Sequence, residues 1–147
     1  MFGFYSRILV AYDGSELSDK ALDLALKLAE QDSRIEVHAV TVWDDRYVQT
    51  FGYYDIVSVE ELAESRQRST EELFGKIKGK LDAVPNKTAT IALEGNPAKM
   101  LAEYAKDNDC DLIVMGSRGL SSMKELFLGS VSHNVVQQAH CPVLIAK

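Results

Sequence analysis

Cysteine is scarce in this sequence, and its two residues, Cys110 and Cys141, stand in no C-x-x-C or Cys/His spacing. That excludes a sequence-encoded zinc finger and a disulfide framework, and both thiols are expected to act as small buried hydrophobes. Long hydrophobic runs are also lacking. No stretch approaches the roughly 18–20 apolar residues that span a bilayer, and the chain opens without a signal-type apolar run, so no membrane role and a cytoplasmic location are expected. Basic residues are outnumbered, with 16 Lys and Arg against 22 Asp and Glu and a formal charge of −6. Since non-specific affinity for nucleic acid comes from neutralising backbone phosphates, a nucleic-acid partner is not expected. A small phosphorylated ligand is not excluded, because a few backbone N–H groups and one arginine hold phosphate whatever the net charge. The three histidines, His38, His133 and His140, form no spaced cluster, and there is no internal repeat.

The chain has 147 residues, 46% hydrophobic and 26% charged, which suits one globular domain over residues 1–147 with a real core. From Ile8 to Ala11 a short apolar run stops at Tyr12-Asp13-Gly14-Ser15 and reads as a buried strand. Ser15 then caps a helix in which Leu17, Ala21, Leu24, Ala25 and Leu28 recur at helical spacing. Ile35 to Val42 is rich in β-branched residues and forms the second strand. Trp43 to Ser58 has no clear period but carries Trp43, Tyr47, Phe51, Tyr53 and Tyr54, so a long structured loop is expected there.

Val59, Leu62, Ala63, Leu73, Ile77 and Leu81 mark one long helix, weakened near its end by Gly75 and Gly79. Thr88 to Leu93 is a third strand, and Asn96-Pro97 is a strong helix start, with Ala98, Leu101, Ala102 and Ala105 on its buried face. Leu112 to Met115 is apolar throughout, as a central parallel strand covered on both sides must be. Ser130 to Ala139 is the last helix and Pro142 to Ala146 the last strand, at an edge. Five strands alternating with four helices predict a doubly wound α/β fold. In such folds ligands sit beyond the carboxyl ends of strands, where Asp13, Val42 and Gly116 fall.

The chemistry concentrates in Gly116-Ser117-Arg118-Gly119, followed after nine residues by Gly129-Ser130-Val131-Ser132 at a helix start. Glycines there are expected to take positive φ and let the backbone approach a ligand, while the N–H groups of Ser130, Val131 and Ser132 face outward at the positive end of the helix. Ser130 and Ser132 can add hydroxyl donors, and the Arg118 guanidinium matches phosphate oxygens. A carboxylate facing a triphosphate is repelled unless a cation intervenes, so Asp13 reads either as a Mg²⁺ ligand or as a partner of ribose hydroxyls. The plainer readings are a helix cap for Asp13, a solvated charge for Arg118 and turn chemistry for the glycines. It is the joint strand-turn-helix placement that favours phosphate. Gly75 to Leu81 is too short for a P-loop and has Leu81 where Ser or Thr is needed, and a receiver's phosphoacceptor position holds Leu93 and Glu94.

With ILVAYDGSE near its start, EGNPAKML, DLIVMGSRGL, LGSVSHNVV and the closing CPVLIAK, the whole chain resembles the universal stress protein family. Its ATP-binding members carry G-x2-G-x9-G-[ST], which Gly116, Gly119, Gly129 and Ser130 match without a gap. The resemblance implies a five-stranded parallel sheet of order 3-2-1-4-5 (the adenine nucleotide alpha hydrolase-like fold), ATP binding, and a homodimer formed through the last strand. It places Asp13 at the ribose or metal–phosphate region, Val42 at adenine through its backbone, and Met115, Gly116, Arg118, Gly119, Gly129, Ser130, Val131 and Ser132 around ribose and phosphates. The function expected is a nucleotide-responsive regulatory dimer read by a protein partner in stress response. No catalytic base is evident beside the glycines except Asp13, so at most weak hydrolysis is expected; the alternative is a slow ATPase or adenylyl-transferring enzyme.

Overall fold

A computed structural model describes residues 5–45, 59–119 and 128–147. In chain order the elements are β1 (Arg7–Ala11), α1 (Glu16–Ala29), β2 (Glu36–Asp44), α2 (Val59–Gly75), α3 (Lys78–Asp82), β3 (Thr88–Gly95), α4 (Pro97–Asp107), β4 (Leu112–Gly116), α5 (Ser130–Gln138) and β5 (Val143–Ala146). All strand pairs are parallel, and the sheet order is β3-β2-β1-β4-β5. The order reverses between β2-β1 and β1-β4, so the switch point lies over β1 and β4.

Strand alternation sorts the side chains into two cores. Ile8, Val10, Val37, Ala39, Leu112 and Val114 face α1 and α3, meeting Ala21, Leu22, Ala25, Leu26, Ile77 and Leu81. Leu9, Val40, Ile113 and Met115 face the other way, onto Ala98, Leu101 and Ala105 of α4 and Val135 of α5. Every residue of β4 is buried, which is why LIVM reads as an unbroken apolar run rather than an alternating one.

The helix starts follow their caps. Ser15 Oγ accepts from Ser18 N at 3.2 Å, and Asn96 Oδ1 accepts from Lys99 N at 3.1 Å ahead of Pro97. Two expectations change. The long helix expected over 59–81 divides after Gly75, so the described residues hold five helices rather than four. A Cβ on Gly75 would meet nothing within 4 Å, so no close approach calls for glycine and its helix penalty goes uncompensated there; Ile77 N turns to Phe74 O at 3.2 Å before α3 begins. Trp43, expected in the loop, instead extends β2 together with Asp44, in register with Glu94 and Gly95. Tyr47, Phe51, Tyr53 and Tyr54 lie outside the described residues.

Candidate functional site

Above the carboxyl ends of β1, β2 and β4 opens a cleft of about 410 Å³. Every candidate residue lines it: Asp13, Val42, Met115, Gly116, Arg118, Gly119, Gly129, Ser130, Val131 and Ser132. They come from segments far apart in sequence, brought together because parallel strands all end on the same side of the sheet.

The turn from β1 into α1 sets Asp13. Gly14 has φ +83°, a left-handed value that a side chain resists. Asp13 Oδ1 accepts from Ser15 N at 2.9 Å, so the carboxylate braces the turn while Ser15 itself caps α1. Beneath it Tyr12 is buried, and its hydroxyl donates to Asp19 Oδ1 at 2.9 Å. Burial, reinforced by that bond to Asp19, pushes the phenol up to about 12.

The glycines after β4 depart from the expected backbone conformation. None of Gly116, Gly119 and Gly129 takes a positive φ; what two of them supply is space. A Cβ on Gly116 would stand 2.7 Å from Leu17 Cβ and 3.1 Å from the Leu17 carbonyl carbon. On Gly119 it would stand 2.7 Å from Asp13 Oδ2. Gly116 thus lets α1 close onto the end of β4, and Gly119 lets the turn after β4 close onto Asp13.

A clasp not foreseen from sequence fixes the start of α5. Ser117 O accepts from Gly129 N at 2.7 Å and from Ser132 Oγ at 2.7 Å, while Ser117 N donates to Ala146 O at 2.8 Å. The Ser132 hydroxyl also lies 3.1 Å from Gly129 O and is buried. Its single proton is therefore held within the turn, which corrects the expectation that this hydroxyl donates to a ligand; what Ser132 can offer is its backbone N–H. Gly129 caps α5 with no side-chain hydrogen bond. The first-turn N–H groups, which have no partner inside any α-helix, thus stand at the cleft with the positive end of the helix dipole.

The remaining lining divides by character. Val40, Val42, Pro97, Leu101 and Met115 form an apolar flank toward α4, whereas Arg118, Ser130 and the start of α5 form a polar one. Sequence reasoning missed Thr41, Trp43, Asp44, Ser69 and Leu73, which also line the cleft. The extension of β2 brings Trp43 and Asp44 there, and the crossing of α2 brings Ser69 and Leu73. Among the described residues no group of three His, Cys, Asp or Glu side chains could hold a metal ion. A cation would have to share Asp13 with ligand oxygens, the usual arrangement for Mg²⁺ on a nucleotide.

The molecule is thus a doubly wound α/β protein with a helix N-terminus beside an apolar flank at the switch point of its sheet. The chain belongs to the universal stress protein family, whose model matches residues 4–147. It is 38% identical over 148 residues to universal stress protein YxiE of Bacillus subtilis, covering 97% of this chain and 99% of that one. It is 32% identical over 157 residues to universal stress protein MJ0577 of Methanocaldococcus jannaschii, covering 97% and 95%. The solved structure of MJ0577 superposes with a TM-score of 0.85 at 30% identity, over 97% of this chain and 96% of that one. A universal stress protein solved in complex with cAMP superposes at 0.62 with 26% identity, over 97% of each chain.

Proposed function

We propose that this protein binds an adenine nucleotide, ATP with Mg²⁺, and acts as a nucleotide-responsive regulatory dimer rather than a fast enzyme. One observation carries the reading: an uncapped helix start, an arginine and an apolar flank share one cleft at the switch point. The base would lie between Val42 and Leu101, and the phosphates would meet Arg118, Ser130 and the N–H groups opening α5. Asp13 would take ribose hydroxyls or a Mg²⁺ ion that bridges to phosphate oxygens. The similar protein solved with cAMP supports an adenine nucleotide as the class of ligand.

Slow turnover follows from the placement of Asp13. One of its oxygens is committed to Ser15 N and the other is packed toward Gly119, an arrangement that braces a turn more than it orients a water. Dimerisation through β5 is supported by its place at the sheet edge and by Leu144, which stays 36% exposed there.

Calorimetric titration with MgATP tests the reading. Binding is expected in the wild-type protein, with Arg118→Ala weakening it tenfold or more, the worth of roughly 1.5–3 kcal/mol for a hydrogen bond to a charged group. Absence of binding heat, together with no nucleotide released from freshly purified protein, would overturn it. Rapid steady-state phosphate release lost in Asp13→Ala would favour the enzymatic alternative instead.

A further inference from the structure

α2 crosses the carboxyl edge of the sheet, held by contacts four and three residues apart on one helix face. Arg66 Nη1 pairs with Glu94 Oε1 at the end of β3, 2.6 Å away. Thr70 Oγ1 accepts from the Trp43 indole N–H at the end of β2, 2.9 Å away. Leu73 Cδ1 lies 3.0 Å from where a Cβ on Gly14 would stand, in the turn after β1. The tethers at 66, 70 and 73 thus meet β3, β2 and the β1–α1 turn in the order in which those strands lie in the sheet.

This crossing turns Ser69 and Leu73 into the cleft that Trp43, Val42 and Leu101 also line. Apolar anchoring is concentrated at the far end of the segment, where Leu73 and Phe74 pack on the core that contains Ile77 and Leu81. Further toward the start of α2, the ties to Glu94 and Trp43 are polar.

We propose that α2 is a ligand-contacting wall of the nucleotide cleft, with Ser69 and Leu73 touching the bound nucleotide and Trp43, Thr70 and Arg66 acting as positioning residues that hold the wall in place. The inference rests on the nucleotide reading above and adds residues that the glycine pattern does not contain. Its physical basis is linkage: a ligand that touches α2 only when the helix is docked binds more weakly in proportion to any loss of the docked population. Trp43 and Glu94, at the ends of β2 and β3, then help set affinity through the helix they hold.

Two substitutions on α2 decide it, each read by MgATP titration and by melting temperature. Ser69 is exposed, so Ser69→Phe leaves the fold intact and fills the cleft side of the wall, and a loss of affinity of tenfold or more is expected. Thr70→Val removes the acceptor for the indole at nearly constant shape and is expected to raise Kd roughly two- to tenfold, the worth of one hydrogen bond, while Thr70→Ser restores it. The single tryptophan supplies a spectroscopic reading that a purely structural tether would not move: Trp43 emission should shift on nucleotide addition in wild type. Wild-type affinity in Ser69→Phe, or unchanged Trp43 emission on saturating nucleotide, overturns the proposal while leaving nucleotide binding standing. A wild-type protein that binds no nucleotide overturns both.

Discussion

Adding a single methyl group at Gly116 or at Gly119 separates packing from ligand geometry, because the two positions meet different neighbours. In Gly116→Ala the new Cβ would stand 2.7 Å from Leu17 Cβ and 3.1 Å from the Leu17 backbone, with Arg118 O at 3.2 Å. None of these belongs to the far end of a flexible side chain, so α1 must move off the end of β4. Overpacking of that kind costs about 1–3 kcal/mol. For a chain of this size that lowers the melting temperature by roughly 3–10 °C. In Gly119→Ala the new Cβ would meet Asp13 Oδ2 at 2.7 Å, and the next atom, Asp13 Cγ, lies 3.9 Å away. A carboxylate can rotate, and alanine also stiffens the unfolded chain by about 0.4–1 kcal/mol where φ allows it. Stability should therefore stay within about 1 kcal/mol of wild type, while the displaced Asp13 weakens MgATP binding tenfold or more. Differential scanning calorimetry of both variants, followed by nucleotide titration, provides the comparison. An unchanged melting temperature in Gly116→Ala would refute the packing argument. Wild-type affinity in Gly119→Ala would refute the role given to Asp13.

Asn86→Ala should lower the urea midpoint by the equivalent of about 1–3 kcal/mol, since the buried Asn86 amide nitrogen donates to Ala29 O, Asp32 O and Ile35 O, each at 2.9 Å, across the α1–β2 turn. Asn86→Asp should cost more, because it turns a carboxylate onto those carbonyl oxygens; equal stability of the two variants would contradict that account. Tyr12 keeps its proton up to about 12 when folded, against an ordinary value of about 10. Between these values the folded state binds more protons, so stability should be flat below about pH 10 and fall from there toward pH 12. Urea midpoints across that range should show a shallower fall in Tyr12→Phe. Burial pushes the Cys110 thiol up to about 11, so iodoacetamide should label half-buried Cys141 first; equal labelling rates, read by peptide mass, would contradict the burial argument.

What could be read from sequence was what depends on near neighbours. Ser15 and Asn96-Pro97 announce helix starts because a cap acts over three residues, and LIVM announces a central strand because both of its faces must be apolar. The strand-helix alternation narrows the topology because parallel crossovers have one hand. The glycine-serine pattern pointed to the end of the sheet where the cleft opens, yet the reason for two of its glycines lay elsewhere, since Leu17 and Asp13 are remote in sequence from the atoms they crowd. The division of the helix at Gly75 was partly visible as weakened propensity.

The amino-acid sequence alone determined the order of elements apart from the break after Gly75, the two apolar faces of the sheet and the segment at which α5 begins, because each is written in local spacing and capping chemistry. Tertiary structure alone decided that Ser117 clasps α5, that the Ser132 hydroxyl is turned inward, and that Trp43, Ser69 and Leu73 face the same cleft as Asp13. Those outcomes depend on which remote backbones lie within a few ångströms once the sheet is assembled, and periodicity along a chain carries no record of distance across it.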